Sequence, residues 1–190
     1  MNFLAHILLS GDDKEIQIGN FIGDIVKGNK YKNYPAKIKE GILLHRKIDD
    51  FTDHHKIVKQ ATARLKPKYG RYSAIVIDIF YDYFLIKNWD KYANQNLDKF
   101  VKQFHINILQ HYLIIPAKAK RISVSIIVNR WFYRYKTKDG IKEVLDKMSA
   151  YRNIPNESDF AISILSKYEK EFNEEFNIFF TELCHFVDYQ

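Results

Sequence analysis

GILLHRKIDDFTDHH, residues 41–55, decides the fold. At 3.6 residues per turn, Ile38, Ile42, His45, Asp49 and Thr52 fall on one side of a helix. Ile38 and Ile42 mark that side as core, so His45 and Asp49 point inward. Asp53 extends the row by one turn, at the edge of the face. Buried imidazoles and carboxylates are costly unless something pairs with them. Two more stretches repeat the anomaly. In IVIDIFYDYFL (75–85), Asp78 and Asp82 share a face with Ile75, Leu85 and Trp89; in IGNFIGDIVKG (18–28), Asn20 and Asp24 stand four apart. The β-branched IVIDIF run suits a strand, but Asp78, Asp82 and Leu85 share a face only on a helix.

A divalent cation is a natural partner for such residues, and three such helices converging on one make a metal-dependent hydrolase the first expectation. The plainer alternative for Asp78 and Asp82 is a salt bridge to Arg46 or Arg71. His6, inside the apolar run FLAHIL (3–8), reads alone as a core histidine. Beside the other helices it becomes a candidate ligand or proton donor. His54 and His55 are expected in solvent; His105, His111 and His185 have no acidic partner at helical spacing that makes a defensible site.

The rest of the chain is helical in pattern, with sparse glycine and no hairpin signal. Ser10 or Asp12 should cap a helix over about 13–27, with Gly28 just past its end. Long helices are expected over about 35–64, 71–87, 96–111, 116–135 and 157–187, with a short one between the Asp139–Gly140 break and Tyr151. The expectation is one all-α domain over residues 1–190, with seven or eight helices.

With 190 residues and 46% hydrophobic content, the chain is long and apolar enough for a real core. Its single cysteine, Cys184, excludes an internal disulfide framework and a thiolate zinc site. No segment has the unbroken apolar length of a membrane span, and MNFLAHILLSGDDKE lacks a basic stretch ahead of its apolar run. A cytoplasmic protein without membrane insertion is therefore expected. The net charge of +7 is uneven: residues 156–190 carry about −6, leaving about +13 elsewhere. Seven Lys or Arg and no acid fall between Ile114 and Lys138. Such a segment favours an anionic partner, whether nucleic acid, anionic lipid or acidic protein, or is simply a solvated face.

Nitrogen and oxygen donors without thiolate suit Mn²⁺, Fe²⁺, Mg²⁺ or Zn²⁺. A divalent ion makes hydroxide available near neutral pH, which fits phosphoester cleavage and also carbonyl substrates. P-loop, GxGxxG, GxSxG and HExxH motifs are absent, as are the Glu-x-x-His pairs of a di-iron bundle.

MNFLAH, GNFIGDIVKGN, GILLHRKIDDFTD and DIFYDYFLIKNW together resemble the acyl carrier protein phosphodiesterases, and NRWFYRYKTKDGIKEVLDKMSAYR (129–152) is also similar to that family. The resemblance runs from Met1 to about Arg152. It implies hydrolysis of the phosphodiester between the carrier-protein serine and 4′-phosphopantetheine, releasing apo-carrier protein. It also implies an HD-domain-like fold and a divalent metal, Mn²⁺ foremost, with Mg²⁺ or Fe²⁺ as alternatives. No His–Asp doublet occurs here; His45 and Asp49 are a helical turn apart. The family pattern falls on His6, Asn20, Asp24, His45, Arg46, Asp49, Asp53, Asp78 and Asp82. Of these, Asp24, His45, Asp49, Asp78 and Asp82 are the expected metal set. Arg46 would bind a phosphate oxygen, and His6 or Asp53 would deliver a proton to the leaving serine. The implied partner is the acidic holo-acyl carrier protein, docked on Arg121, Arg130, Arg134, Lys136 and Lys138, with no nucleic acid expected. The alternatives are a phosphohydrolase of a small nucleotide and a non-catalytic binding module.

Overall fold

The computed structural model describes residues 3–151 and 153–189, with the backbone alone of Tyr151. Met1, Asn2, Arg152 and Gln190 lie outside the described residues, and with them the ends of the MNFLAH and 129–152 motifs. The helices are α1 (Phe3–Leu8), α2 (Lys14–Ile22), α3 (Ala36–His54), α4 (Lys56–Ala63), α5 (Lys66–Tyr69), α6 (Ser73–Lys87) and α7 (Trp89–Tyr92). They continue as α8 (Leu97–Gln110), α9 (Ala117–Val128), α10 (Trp131–Arg134), α11 (Lys138–Tyr151), α12 (Ser158–Lys167) and α13 (Glu169–Phe186). Two 3-10 turns, Gly28–Asn33 and Gly70–Tyr72, fill gaps. Among the described residues no strand occurs and no helix is long and apolar enough to cross a membrane.

The all-α class is as expected, but thirteen helices occur among the described residues in place of seven or eight. Pro67 and Gly70 bound the short α5, but no proline or glycine marks the breaks at His55, Arg130 and Tyr168. The expected 35–64 helix divides at His55, whose backbone is extended. The His55 ring packs on Phe51 and Phe179, and its Nε2 lies 2.9 Å from Glu182. His55 is therefore held in the fold and is not solvated as expected; His54 is exposed. The 116–135 helix breaks at Arg130, which adopts a left-handed φ of 50°. The last helix divides at Tyr168. Asp13, not Ser10 or Asp12, caps α2, accepting from the Glu15 and Ile16 amides. Gly140 does not break a helix. It lies in the first turn of α11, where an added Cβ would stand 2.0 Å from the Arg134 carbonyl oxygen.

One contiguous core runs through the molecule. At one end α13 presents Phe172, Phe176, Phe179, Phe180 and Leu183, a stripe at helical spacing and fully buried. These rings meet Phe80, Tyr81 and Phe84 of α6 at centroid distances of 5.3–6.5 Å, mostly edge-on or tilted. At the other end α2 and α3 meet backbone to backbone. An added Cβ on Gly19 would lie 2.1 Å from the Ile38 carbonyl oxygen, and one on Gly41 equally close to that of Ile16. Only glycine permits this approach. It brings Asn20 beside the His45 face.

Candidate metal centre

α1 supplies His6, α2 supplies Asn20, and α3 supplies His45 and Asp49. His6, Asn20 and His45 are buried, and Asp49 is partly exposed. Asn20 Nδ2 donates to the His6 carbonyl oxygen (2.8 Å) and to Ser10 Oγ (2.9 Å). A carbonyl oxygen only accepts, so this fixes which end of the amide is nitrogen. Asn20 Oδ1 therefore faces both His6 Nδ1 (2.8 Å) and His45 Nδ1 (3.2 Å) and must accept from both. Each Nδ1 thus carries a proton.

In a neutral imidazole with its proton on Nδ1, Nε2 is an acceptor. His6 Nε2 lies 3.1 Å from Asp49 Oδ1, and His45 Nε2 lies 3.1 Å from Asp49 Oδ2. Two acceptor nitrogens converge on a carboxylate that also only accepts. The rings are stacked at 4.1 Å, so charging both would set two cations face to face in a buried space. Burial lowers the His6 pKa to about 4, against the raising effect of Asp49. Burial alone would raise the Asp49 carboxyl; protons presented by His45 and His6 would outweigh it and hold the group well below the usual carboxylate range, but neutral rings protonated at Nδ1 have none to present at Nε2. A cation between the three groups resolves the mismatch. Their ligand atoms lie within 4.8 Å of one another, close enough to share one ion.

Further carboxylates surround this trio. Asp78 is partly buried, and desolvation raises its pKa, with Asp49 and Asp53 adding to the rise. Asp82 is fully buried against the Leu4 and Ala5 backbone at the start of α1, without a well-formed hydrogen bond to either oxygen. Desolvation holds it well above the usual range. Asp24 lies past the end of α2 rather than on it, exposed and 2.8 Å from Lys27, which lowers its pKa. Asp53 is exposed. Arg46 neither pairs with the α6 carboxylates nor offers its fork freely. Its Nη2 donates to the Val26 and Gly28 carbonyl oxygens at 2.8 Å each, and the guanidinium covers Tyr31. Arg71 donates to Tyr72 Oη.

The structure thus groups His6 with His45 and Asp49 as metal-capable, where the sequence left it a candidate ligand or proton donor. Asn20 is the residue whose role the spacing did not give: its two histidine partners lie 14 and 25 residues away. Gly23 was also passed over. A Cβ there would stand 2.4 Å from His45 Cβ and Cγ, so this glycine makes room for the ring.

The expected basic docking residues behave unequally. Arg134 pairs with Glu143, Lys138 with Glu169 at 2.7 Å, and Lys136 with Asp98 at 3.8 Å. Arg134 and Lys138 are half-buried and held in these pairs, whereas Lys136 is exposed and only loosely paired. Arg121 and Arg130 are exposed.

Helices packed around a buried histidine pair and a shared carboxylate define an all-α protein with a metal-capable His–His–Asp centre. Residues 1–183 match the family described as acyl carrier protein phosphodiesterase. The chain is 35% identical to the acyl carrier protein phosphodiesterase of Yersinia pestis over 153 residues, 80% of this chain and 79% of that one. It is 34% identical to the Klebsiella pneumoniae subsp. pneumoniae protein of the same name over equal shares, and 34% identical to that of Photorhabdus laumondii over 78% and 76%. The chain belongs to the acyl carrier protein phosphodiesterase family. No solved structure matches it.

Proposed function

We propose that this protein hydrolyses the phosphodiester joining an acyl carrier protein serine to 4′-phosphopantetheine, using a divalent cation, Mn²⁺ foremost. His6 Nε2, His45 Nε2 and the Asp49 carboxylate would hold the ion. The observation that carries this reading is the Asn20 Oδ1 contact with both Nδ1 atoms, which aims two nitrogen lone pairs at one carboxylate. When bound, such a cation supplies Lewis acidity toward a phosphoryl oxygen and hydroxide near neutral pH. The chain's own residues do the rest. Asn20 fixes both imidazole tautomers and orientations, a supporting role that metal-bound histidines commonly require. Arg46 ties the 26–28 segment to α3 and so shapes the rim. Asp78, coupled electrostatically to Asp49 and Asp53, is the next candidate ligand; Asp24 adds negative potential, and Asp82, kept neutral by burial, would add its charge once a cation ionises it.

In the overall step, a water oxygen bonds to phosphorus and the bond from phosphorus to the serine oxygen breaks. The proton lost by water reaches the serine oxygen. We assign its relay to the exposed Asp53 carboxylate, one turn beyond Asp49 on α3. The all-helical His/Asp centre reads as a variant of the HD phosphohydrolase arrangement, with a helical turn between His45 and Asp49 in place of an adjacent pair.

Mass spectrometry of holo-acyl carrier protein incubated with metal-stripped enzyme, with and without Mn²⁺, tests this reading. A metal-dependent mass loss equal to phosphopantetheine is expected. Turnover undiminished in the presence of strong chelators, or none with any divalent ion, would overturn it.

A further inference from the structure

Ten large apolar residues are exposed among the described residues, and seven of them fall between Ile106 and Val128. Such clustering is unlike the scattered exposure of ordinary surfaces. Leu109 is 67% exposed, Leu113 93% and Val128 73%. The fold does not need these side chains. α8 is anchored by its other face, through Phe100, Val101, Phe104 and Ile108, and α9 by Ala119, Ser123 and Ile126. Lys102, Ile106 and Leu109 follow the outer side of α8, and Arg121, Val124 and Val128 that of α9.

The same stretch is strongly basic. Residues 99–138 contain nine Lys or Arg and no Asp or Glu. Of the nine, Arg134 and Lys138 are held in ion pairs within the fold, and Lys136 lies 3.8 Å from Asp98. Lys102, Lys118 and Arg121 are exposed, and no carboxylate pairs with them among the described residues. Lys120 sits over the Tyr112 ring, 4.6 Å from its centroid, which ties α9 to the turn after α8. Apolar and cationic groups therefore interleave across two helices and a turn, rather than separating into an apolar strip with a basic margin. A mosaic of this kind matches a folded surface whose own charges are fixed in place. It suits a fluid lipid headgroup layer less well, because there the apolar and basic faces of a binding helix segregate.

The face also adjoins the metal-capable half of the molecule. Phe104 of α8 packs on Phe21, the neighbour of Asn20, at 5.4 Å between ring centroids. Asn107 Nδ2 donates to the Lys14 carbonyl oxygen at the start of α2. Ile106 borders a cleft of about 550 Å³ between these helices, with Lys14, Gln17 and Lys99 among its lining.

We infer that the α8–α9 face, with Leu109, Leu113, Val124 and Val128 at its centre and Lys102, Lys118 and Arg121 around them, is the docking surface for an acidic protein partner, the carrier-protein substrate. The inference rests on the function proposed above. It moves docking away from Arg134, Lys136 and Lys138 and gives it an apolar centre.

Two double variants test it, Lys118→Glu/Arg121→Glu and Leu113→Ser/Val128→Ser. Three quantities are read on each and on the unaltered protein: binding of holo-acyl carrier protein by calorimetry, KM and kcat for its hydrolysis with Mn²⁺, and hydrolysis of bis(4-nitrophenyl) phosphate. Both variants should weaken binding and raise KM by about tenfold or more, with kcat and small-diester hydrolysis unchanged. Binding by the unaltered protein should weaken with salt, and the charge-reversed variant should lose most of that dependence. Carrier binding and KM unchanged in both variants would overturn the docking face while leaving the proposed reaction standing. Binding without hydrolysis, abolished by the variants, would uphold the face and overturn the reaction. No carrier binding by the unaltered protein would overturn both. Association with phosphatidylglycerol vesicles that is lost in the variants, with carrier KM unchanged, would reassign the face to a membrane and overturn the inference.

Discussion

The two ends of the core are built on different terms. Where α6 meets α13, aromatic rings fill space, and their contacts are many, tilted and individually weak. Where α1, α2 and α3 meet, helices touch at Gly19 and Gly41, and one side-chain amide satisfies two histidines, a backbone carbonyl and a serine. Ring packing tolerates a small displacement, whereas the amide network has one solution. The aromatic end should therefore dominate stability and the polar end function.

The largest expected effect breaks the aromatic end alone. Phe176 is fully buried and meets Tyr81, Phe84, Tyr92 and Phe180. Phe176→Ala should lower unfolding free energy by about 3–5 kcal/mol in urea titration. Mn²⁺ affinity of the fraction still folded should hardly change. A strong loss of Mn²⁺ affinity in that folded fraction would erase the distinction between the two ends.

Asn20→Ala acts at the opposite end. Removing the shared acceptor frees both imidazoles to change tautomer and tilt. Mn²⁺ affinity by calorimetry should fall by about 10–100-fold, or roughly 1.4–2.7 kcal/mol. Near-ultraviolet circular dichroism should show the aromatic packing intact. Unchanged affinity would remove Asn20 from its positioning role.

The smallest effect tests a polar cluster at the aromatic end. Glu169 accepts from Lys138, Lys87 and Tyr83 at 2.7–2.8 Å, and the two lysines lead in lowering its pKa to about 2. A carboxyl pKa depressed on folding contributes stability present above its ordinary value of about 4.5 and lost as pH falls toward 2. Glu169→Gln should cost about 1 kcal/mol at pH 7, the modest value being set by solvent screening. In thermal melts the gap between variant and parent should narrow as pH drops from 5 to 3. A gap independent of pH would show that the contacts matter through packing instead.

Much of the polar end was legible because helical periodicity exposes a contradiction: His45 and Asp49 share a face with Ile38 and Ile42, and Asp82 sits among buried neighbours. Periodicity speaks only within one helix. It could not show that α2 stops at Ile22 and leaves Asp24 in solvent, because that end is set by Gly23 fitting against His45 on another helix. Nor could it show that His55 ends α3, since its partner Glu182 is 127 residues away. His6 reads as one more core histidine until Asn20 is placed beside it. Arg130 carries a left-handed turn without the glycine that would announce it.

The Gly19–Gly41 contact has a consequence for how the molecule comes apart. With two helix backbones touching, Asn20 and His45 owe their separation to the main chain rather than to adjustable side-chain torsions. With α2 and α3 apart, His45 and Asp49 would still stand one turn apart on α3, but Asn20 would hold neither imidazole and His6 would lose its tie to the pair. Loss of that helix pair would therefore loosen the ion's grip, and by linkage a bound ion stabilises this half of the fold by mass action.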